Sequence, residues 1–241
     1  MSKIYSLVLN SKDRNSGSLN NPSFVLKEQI NDINGVKVKS ALVPISNYTF
    51  DSRNNKIYFT ENTTANIATI TPGIYTSTNI TGAVVNALNS AGNYVYNSSY
   101  FSTTNNLSIN TTSGNFSLQT GSNMANYELG IGENNLNVSN TICSLSLPID
   151  LSGVKQLNLV SNIGASEVHN QQYKILASIP MNEQQNAITY YCDNSNDYIY
   201  TDIKNLSDIN LKLFDDRFRE ITPLKDYQIQ INFLTDKINH Y

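Results

Sequence analysis

Tryptophan is absent from the 241 residues, and histidine, cysteine and methionine occur only two, two and three times. So few histidines leave little material for general-base catalysis or metal ligation. His169 lies in a polar stretch and His240 one residue from the end, neither beside a recognisable partner motif, so both read as solvated side chains. There is no C-x-x-C, no H-x-x-x-H and no D-x-D-x-D loop; no catalytic residue, metal site or cofactor site is legible. Cys143 and Cys192 read as small buried apolar side chains rather than a disulfide, in a protein made and kept in a cytosol. Charge is scarce as well, with 16 Lys and Arg against 19 Asp and Glu, a net charge of -3, and no basic run. A phosphate-neutralising surface is thereby excluded, and no direct nucleic-acid partner is expected. No apolar run approaches the ~18 residues that a membrane span needs, so no transmembrane segment is expected. The run IYSLVL after Lys3 is shorter than the apolar core of a secretory signal. Without a secretory route, the Asn-x-Ser/Thr triplets at Asn47, Asn62 and Asn110 are expected to stay unmodified.

Hydrophobic residues make up 39% of the chain and aromatics 10%, mostly 15 Tyr and 8 Phe, enough to bury a core. Their spacing is that of strands. YQIQINF puts Tyr227, Ile229, Ile231 and Phe233 on one face and Gln228, Gln230 and Asn232 on the other. INLKLF does the same with Ile209, Leu211 and Leu213, and GVKVKSALV sets Val36, Val38 and Leu42 inward, separated by Lys37 and Lys39. About a dozen such short runs between turn signals describe an antiparallel sandwich or barrel.

One stretch is helical. STNITGAVVNALNSAG offers Ser77 or Thr78 as the N-cap, Ile80, Val84 and Leu88 at steps of four, and Gly92 as a stop. Leu107, Ile109, Phe116 and Leu118 alternate around TTSGN and predict a hairpin with a polar outer face. No repeat and no linker-like change of composition divides the chain, which reads as one domain over residues 1–241.

Candidates for chemistry each have a simpler structural reading. GIGE at Gly130 to Glu133 lacks the strand-turn-helix context of a dinucleotide loop. A glycosidase pair would come from Glu128, Glu133, Asp215, Asp216 and Glu220. FDDRFRE, however, lies between two alternating strands and reads as a turn whose acids are offset by Arg217 and Arg219. The protein is expected not to be an enzyme.

The order of segments is more informative than any one of them. An opening strand is followed by the loop Ser11 to Gly17, then ALVPISNY, KIYFTE, a PGIY turn leading into the helix, Leu129-Gly130, and a closing D-x-x-x-R-E-I segment before the last strand. This order resembles the penton (vertex) capsid proteins of double-stranded DNA viruses with double jelly-roll major capsid proteins: giant viruses, virophages and polinton-like viruses. The resemblance runs from about Tyr5 to Leu234. Two features depart from the pattern. The closing turn lacks its usual glycine, and no large inserted domain is apparent.

The resemblance implies an all-β single jelly-roll β-sandwich of two four-stranded sheets, with one short helix and extra hairpins. It further implies a homopentamer at each vertex, bordered by major capsid protein trimers and minor capsid proteins and assembled in the host cytoplasm. Residues 1–20 then form an N-terminal strand and assembly loop, with Asp13 and Arg14 placed for charge-assisted bonds across a subunit boundary or within the loop. Two alternatives are a minor capsid cement protein away from the vertex and a carbohydrate-binding β-sandwich of a fibre, the latter requiring an exposed aromatic platform.

Overall fold

The computed structural model describes residues 2–44, 48–164, 166–168, 173–181, 187–221, 223 and 225–235. They divide into two compact units, one formed by Met1–Asn47 with Val154–Tyr241 and the other by Tyr48–Gly153. The first unit opens with β1 (Lys3–Asn10), a single 3-10 turn (Ser11–Asp13), β2 (Ser16–Ser18) and the long β3 (Asn21–Pro44). The second holds β4 (Lys56–Glu61), β5 (Thr64–Thr69), α1 (Ile80–Ala91), β6 (Tyr96–Phe101), β7 (Asn106–Thr111), β8 (Phe116–Gln119), α2 (Asn126–Leu129) and β9 (Ile142–Ser144). The chain then returns to the first unit with β10 (Gln156–Ser161), β11 (Ser166–Val168), β12 (Tyr173–Pro180), β13 (Ile188–Cys192), β14 (Ile199–Phe214) and β15 (Gln228–Thr235).

In the first unit a continuous antiparallel path runs β1-β15-β3-β14-β10-β12-β11, with β13 and β2 also paired to β3. β3 and β14 are long enough to serve both layers. The second half of β3 pairs with β15 and β13, and its first half with the end of β14. Register breaks in the β3/β14 ladder, together with Asp32 at φ 52°, mark where the path turns over on itself. Both layers contribute to one core, in which Val36, Leu159, Ile209, Leu211, Ile231 and Phe233 are buried. This is a jelly-roll-like all-β sandwich.

The alternation read in β14 and β15 is present: Ile209, Leu211, Leu213, Ile229, Ile231 and Phe233 all have no exposed surface. β3 differs. Its partner register skips Lys39, since Gln230 faces Ser40 and Ile231 faces Val38. That extra residue is a β-bulge, which swaps the faces beyond it. Ala41 and Val43 therefore point inward, and Leu42, expected in the core, is 40% exposed.

The second unit has its own core, built on Phe50, Phe59, Ile80, Val84, Leu88 and Tyr96. In the chain, residues 48–153 lie between β3 and β10 of the first unit. Two three-stranded sheets, β5-β4-β8 and β6-β7-β9, make up the unit's strands. β7 and β8 thus do not form the expected hairpin. Leu107, Ile109, Phe116 and Leu118 are all buried as read, but they reach the core from different sheets. α1 starts later than Ser77 or Thr78 indicated, with Asn79 at its N-cap and the Asn79 side chain accepting from the Thr76 N–H. Gly92 ends it as read, its N–H donating to the Leu88 carbonyl.

Candidate assembly surfaces

The loop after β1 is held by its own side chains. Ser11, fully buried, donates its N–H to the Tyr227 carbonyl and its hydroxyl to Asp226, and accepts from the Tyr227 N–H, each at 2.9 Å. Arg14 Nε donates to the Gly17 carbonyl and Nη1 to the Ser11 carbonyl, both at 2.9 Å. Gly17 sits at φ 82°, where a Cβ would lie 2.1 Å from the Asn21 carbonyl oxygen. Only glycine closes this turn. Arg14 is therefore bonded inside the loop, whereas Asp13 is exposed and has no ion-pair partner among the described residues. Asp13 also lines a groove of about 420 Å³ between Tyr5 to Asn10 of β1 and Phe24 to Glu28 of β3.

β1 is an edge strand, paired only to β15. The register aligns Asn10, Gln228, Leu42 and Tyr190 across β1, β15, β3 and β13, and Val8, Gln230, Ser40 and Cys192 in the next row. Residues so aligned share one face of the sheet. Val8, Ile188, Tyr190 and Tyr200 are more than half exposed in this part of the first unit. Neither row carries a carboxylate or an amine. Two of the three lysines of β3 are drawn to the 193–198 loop: Lys37 Nζ donates to the Ser195 carbonyl and lies 5.1 Å from the Tyr198 ring centre, and Lys39 Nζ donates to the Asp193 carbonyl. Sequence periodicity missed the β3 part of this uncharged face because the Lys39 bulge, invisible in the pattern, turns Leu42 outward.

The acidic residues weighed for catalysis are occupied structurally. Asp215 is fully buried and accepts from the N–H groups of Arg217 and Arg219 and from Arg219 Nε at 2.7 Å. Asp216 accepts from the Lys155 N–H, and Glu220 from Asn20 Nδ2. Glu128, buried in the second unit, accepts from Asn54 Nδ2 at 2.8 Å, and Glu133 opens a 3-10 turn. The FDDRFRE segment does form a tight turn without glycine, because Phe218 takes φ 57° and stacks on Tyr173 at 5.5 Å. It does not, however, join paired strands. β3 lies between β14 and β15.

Both cysteines are free thiols; Cys143 is half-buried and Cys192 is exposed, not buried as read. Burial pushes the Cys143 thiol up. His169 and His240 lie outside the described residues. Among the described residues no group of three or more His, Cys, Asp or Glu is placed to hold a metal ion, and no helix is long and apolar enough to cross a membrane.

One buried acid escaped the sequence reading. Glu61, 3% exposed, accepts from the N–H groups of Asn93 and Tyr94 and from the Tyr96 hydroxyl, at 2.8, 3.0 and 3.1 Å. Burial pushes its carboxyl up, but these bonds outweigh burial and hold it below its ordinary value. Burial and the Glu61 carboxylate together push Tyr96 upward. The cluster ties the chain leaving α1 to the end of β4.

No protein-family model matches the chain, and no curated protein matches it. Among solved structures, the chain is similar to the mavirus penton protein, known from a crystal structure of its selenomethionine form. The likeness has a TM-score of 0.50 and 11% sequence identity, and it covers 97% of this chain and 100% of that one. At that identity the likeness is one of fold.

Proposed function

We propose that this chain, which shares its fold with a viral penton protein, is a structural capsid protein and forms the vertex of an icosahedral double-stranded DNA virus. Five copies close a ring, which borders major capsid protein trimers and minor capsid proteins in a shell assembled in the host cytoplasm. The observation that carries this reading is the end-to-end likeness, 97% of this chain against 100% of the penton protein. A partial match would have left one unit unexplained.

The surfaces suit such a ring. A cyclic ring places two different patches of each subunit in contact, and interface cores are depleted in charge and enriched in tyrosine. The uncharged rows across β1, β15, β3 and β13, with Tyr190 at 65% exposure, have that character. Asp13, exposed at the mouth of the loop in residues 1–20, supplies a carboxylate for a neighbour's donor, and Arg14 holds the loop that presents it.

Native mass spectrometry and two-dimensional class averages of purified protein test the ring. Five-fold assemblies are expected. Stable trimers alone would move the protein to a major-capsid or fibre role.

A further inference from the structure

We infer that the second unit carries a strand-addition site between β5 and α1, which takes an extended, uncharged segment of a partner protein. The inference does not depend on the vertex reading, since it rests on one edge strand and one helix of the second unit.

The first observation is the state of the β5 backbone. The Ile70 N–H donates to the Asn55 carbonyl at 2.8 Å, and the ladder continues Ala68↔Ile57, Asn66↔Phe59, Thr64↔Glu61. In an antiparallel pair alternate residues bond inward. Residues 64, 66 and 68 thus face β4, and the N–H and C=O groups of Ala65, Ile67 and Thr69 point away from it. Strand order β5-β4-β8 leaves that side open, and no described group takes up those donors and acceptors. Such an edge is a template for another strand.

The second observation is what lies beside it. Ile67 and Thr69, two residues whose backbone groups are unpaired, line a groove of about 610 Å³ whose opposite wall is α1. Ile80, Val84 and Leu88 of α1 face the core, while Gly82, Asn86 and Ser90 stand on the groove side and are exposed. The period-two row of the strand and the period-four row of the helix meet over one channel. Beside Gly82 a Cβ would find nothing within 4 Å. This is the layout by which a sheet edge and a flanking helix hold an extended peptide: main-chain bonds to the strand supply affinity, and alternate side chains fit against the helix.

The lining also specifies the occupant. It contains no Asp, Glu, Lys, Arg or His, so a charged residue entering it would lose its hydration without a partner. The small helix residues leave room for Ala, Ser, Thr or Val at alternate positions.

The test is selection of random nonamer peptides from a display library on the full-length protein, then anisotropy titration of the enriched peptides. The expected peptides share an uncharged run with small residues at alternate positions. Gly82→Phe and Asn86→Trp each fill the groove from an exposed helix position. Both should weaken binding by about tenfold or more, the loss of one good anchor, with unfolding midpoints unchanged. Bound peptide should slow amide exchange at Ile67 and Thr69 and leave Asn66 and Ala68 as they were. Four results would overturn the assignment: no enrichment over empty support, binding that survives both substitutions, protection at Ala68 in place of Ile67, or a concentration-dependent dimer in sedimentation that Gly82→Phe abolishes. The last would give the edge to a second copy of this chain.

Discussion

Replacing Glu61 by Gln keeps shape and volume while removing the charge on which its closest three donors converge. The Asn93 and Tyr94 N–H groups and the Tyr96 hydroxyl all point at this carboxylate, at 2.8 to 3.1 Å. Glutamine retains one carbonyl oxygen and turns an NH2 toward the remaining donors. Two charge-assisted bonds of roughly 1.5–3 kcal/mol each are weakened or reversed, so a loss of about 3 kcal/mol is expected after partial relaxation. The pH dependence has a definite sign. A carboxyl whose folded value is depressed stabilises above its unfolded value, about 4.3, and that stabilisation is lost as pH falls through the folded value. The gap between parent and Glu61→Gln should be constant from neutral pH to about 5 and shrink below about 4.3. Urea titrations followed through the amide resonances of Tyr94 and Tyr96 read the second unit directly. A variant as stable as the parent at pH 7, or a gap that widens in acid, would refute the argument.

Three other outcomes follow from the first unit and the thiols. Phe218→Ala should be less stable than Phe218→Gly by about 1 kcal/mol, since glycine adopts φ 57° freely while both lose the Tyr173 stack; equal urea midpoints would show that the backbone there is not costly. A reductant should leave the melting temperature unchanged, because Cys143 and Cys192 are both free, and a fall of several degrees would show a bridge. Asp13→Ala should fold as the parent does and lose ring formation in native mass spectrometry, whereas Arg14→Ala should also loosen the loop, with faster amide exchange at Ser16 to Ser18; a double variant that assembles like the parent would remove the loop from the interface.

The strands that were legible are those whose surroundings are simple. β15 and the end of β14 alternate strictly because one face is buried and the other is not, and their inward residues have no exposed surface. β3 was half legible. Its period breaks at Lys39, and a bulge is a property of the pairing partner's register, which one strand's residues do not encode. The helix was visible through Ile80, Val84 and Leu88, but its cap was not, since Asn79 acts on Thr76 behind it. Pairing was the least legible level: Leu107 and Phe116 alternate alike yet lie in separate sheets. Of the charged residues, Asp13 and Arg14 drew notice as charges in a polar loop, and Arg14 bonds inside that loop. Glu61 and the open edge of β5 did not, because their meaning depends on residues 32 to 35 positions on in the first case and on a missing neighbour in the second.

That the first strand pairs with the last, Lys3 against Thr235, also sets an order of events during synthesis. Every strand of the second unit has emerged by Ser144, and the unit ends at Gly153, so it can close while the ribosome is still at work. The first unit must wait for β15. At ordinary translation rates the stretch from Val154 to Thr235 takes roughly 4–16 s. Until β14 and then β15 emerge in that interval, β3 holds Val36, Val38 and Val43 without the strands that cover them. The nascent chain therefore carries a finished body in its middle and, before it, a 24-residue strand paired only to β2 at its start, and newly made copies crowded on one message would be most prone to pair wrongly through that strand.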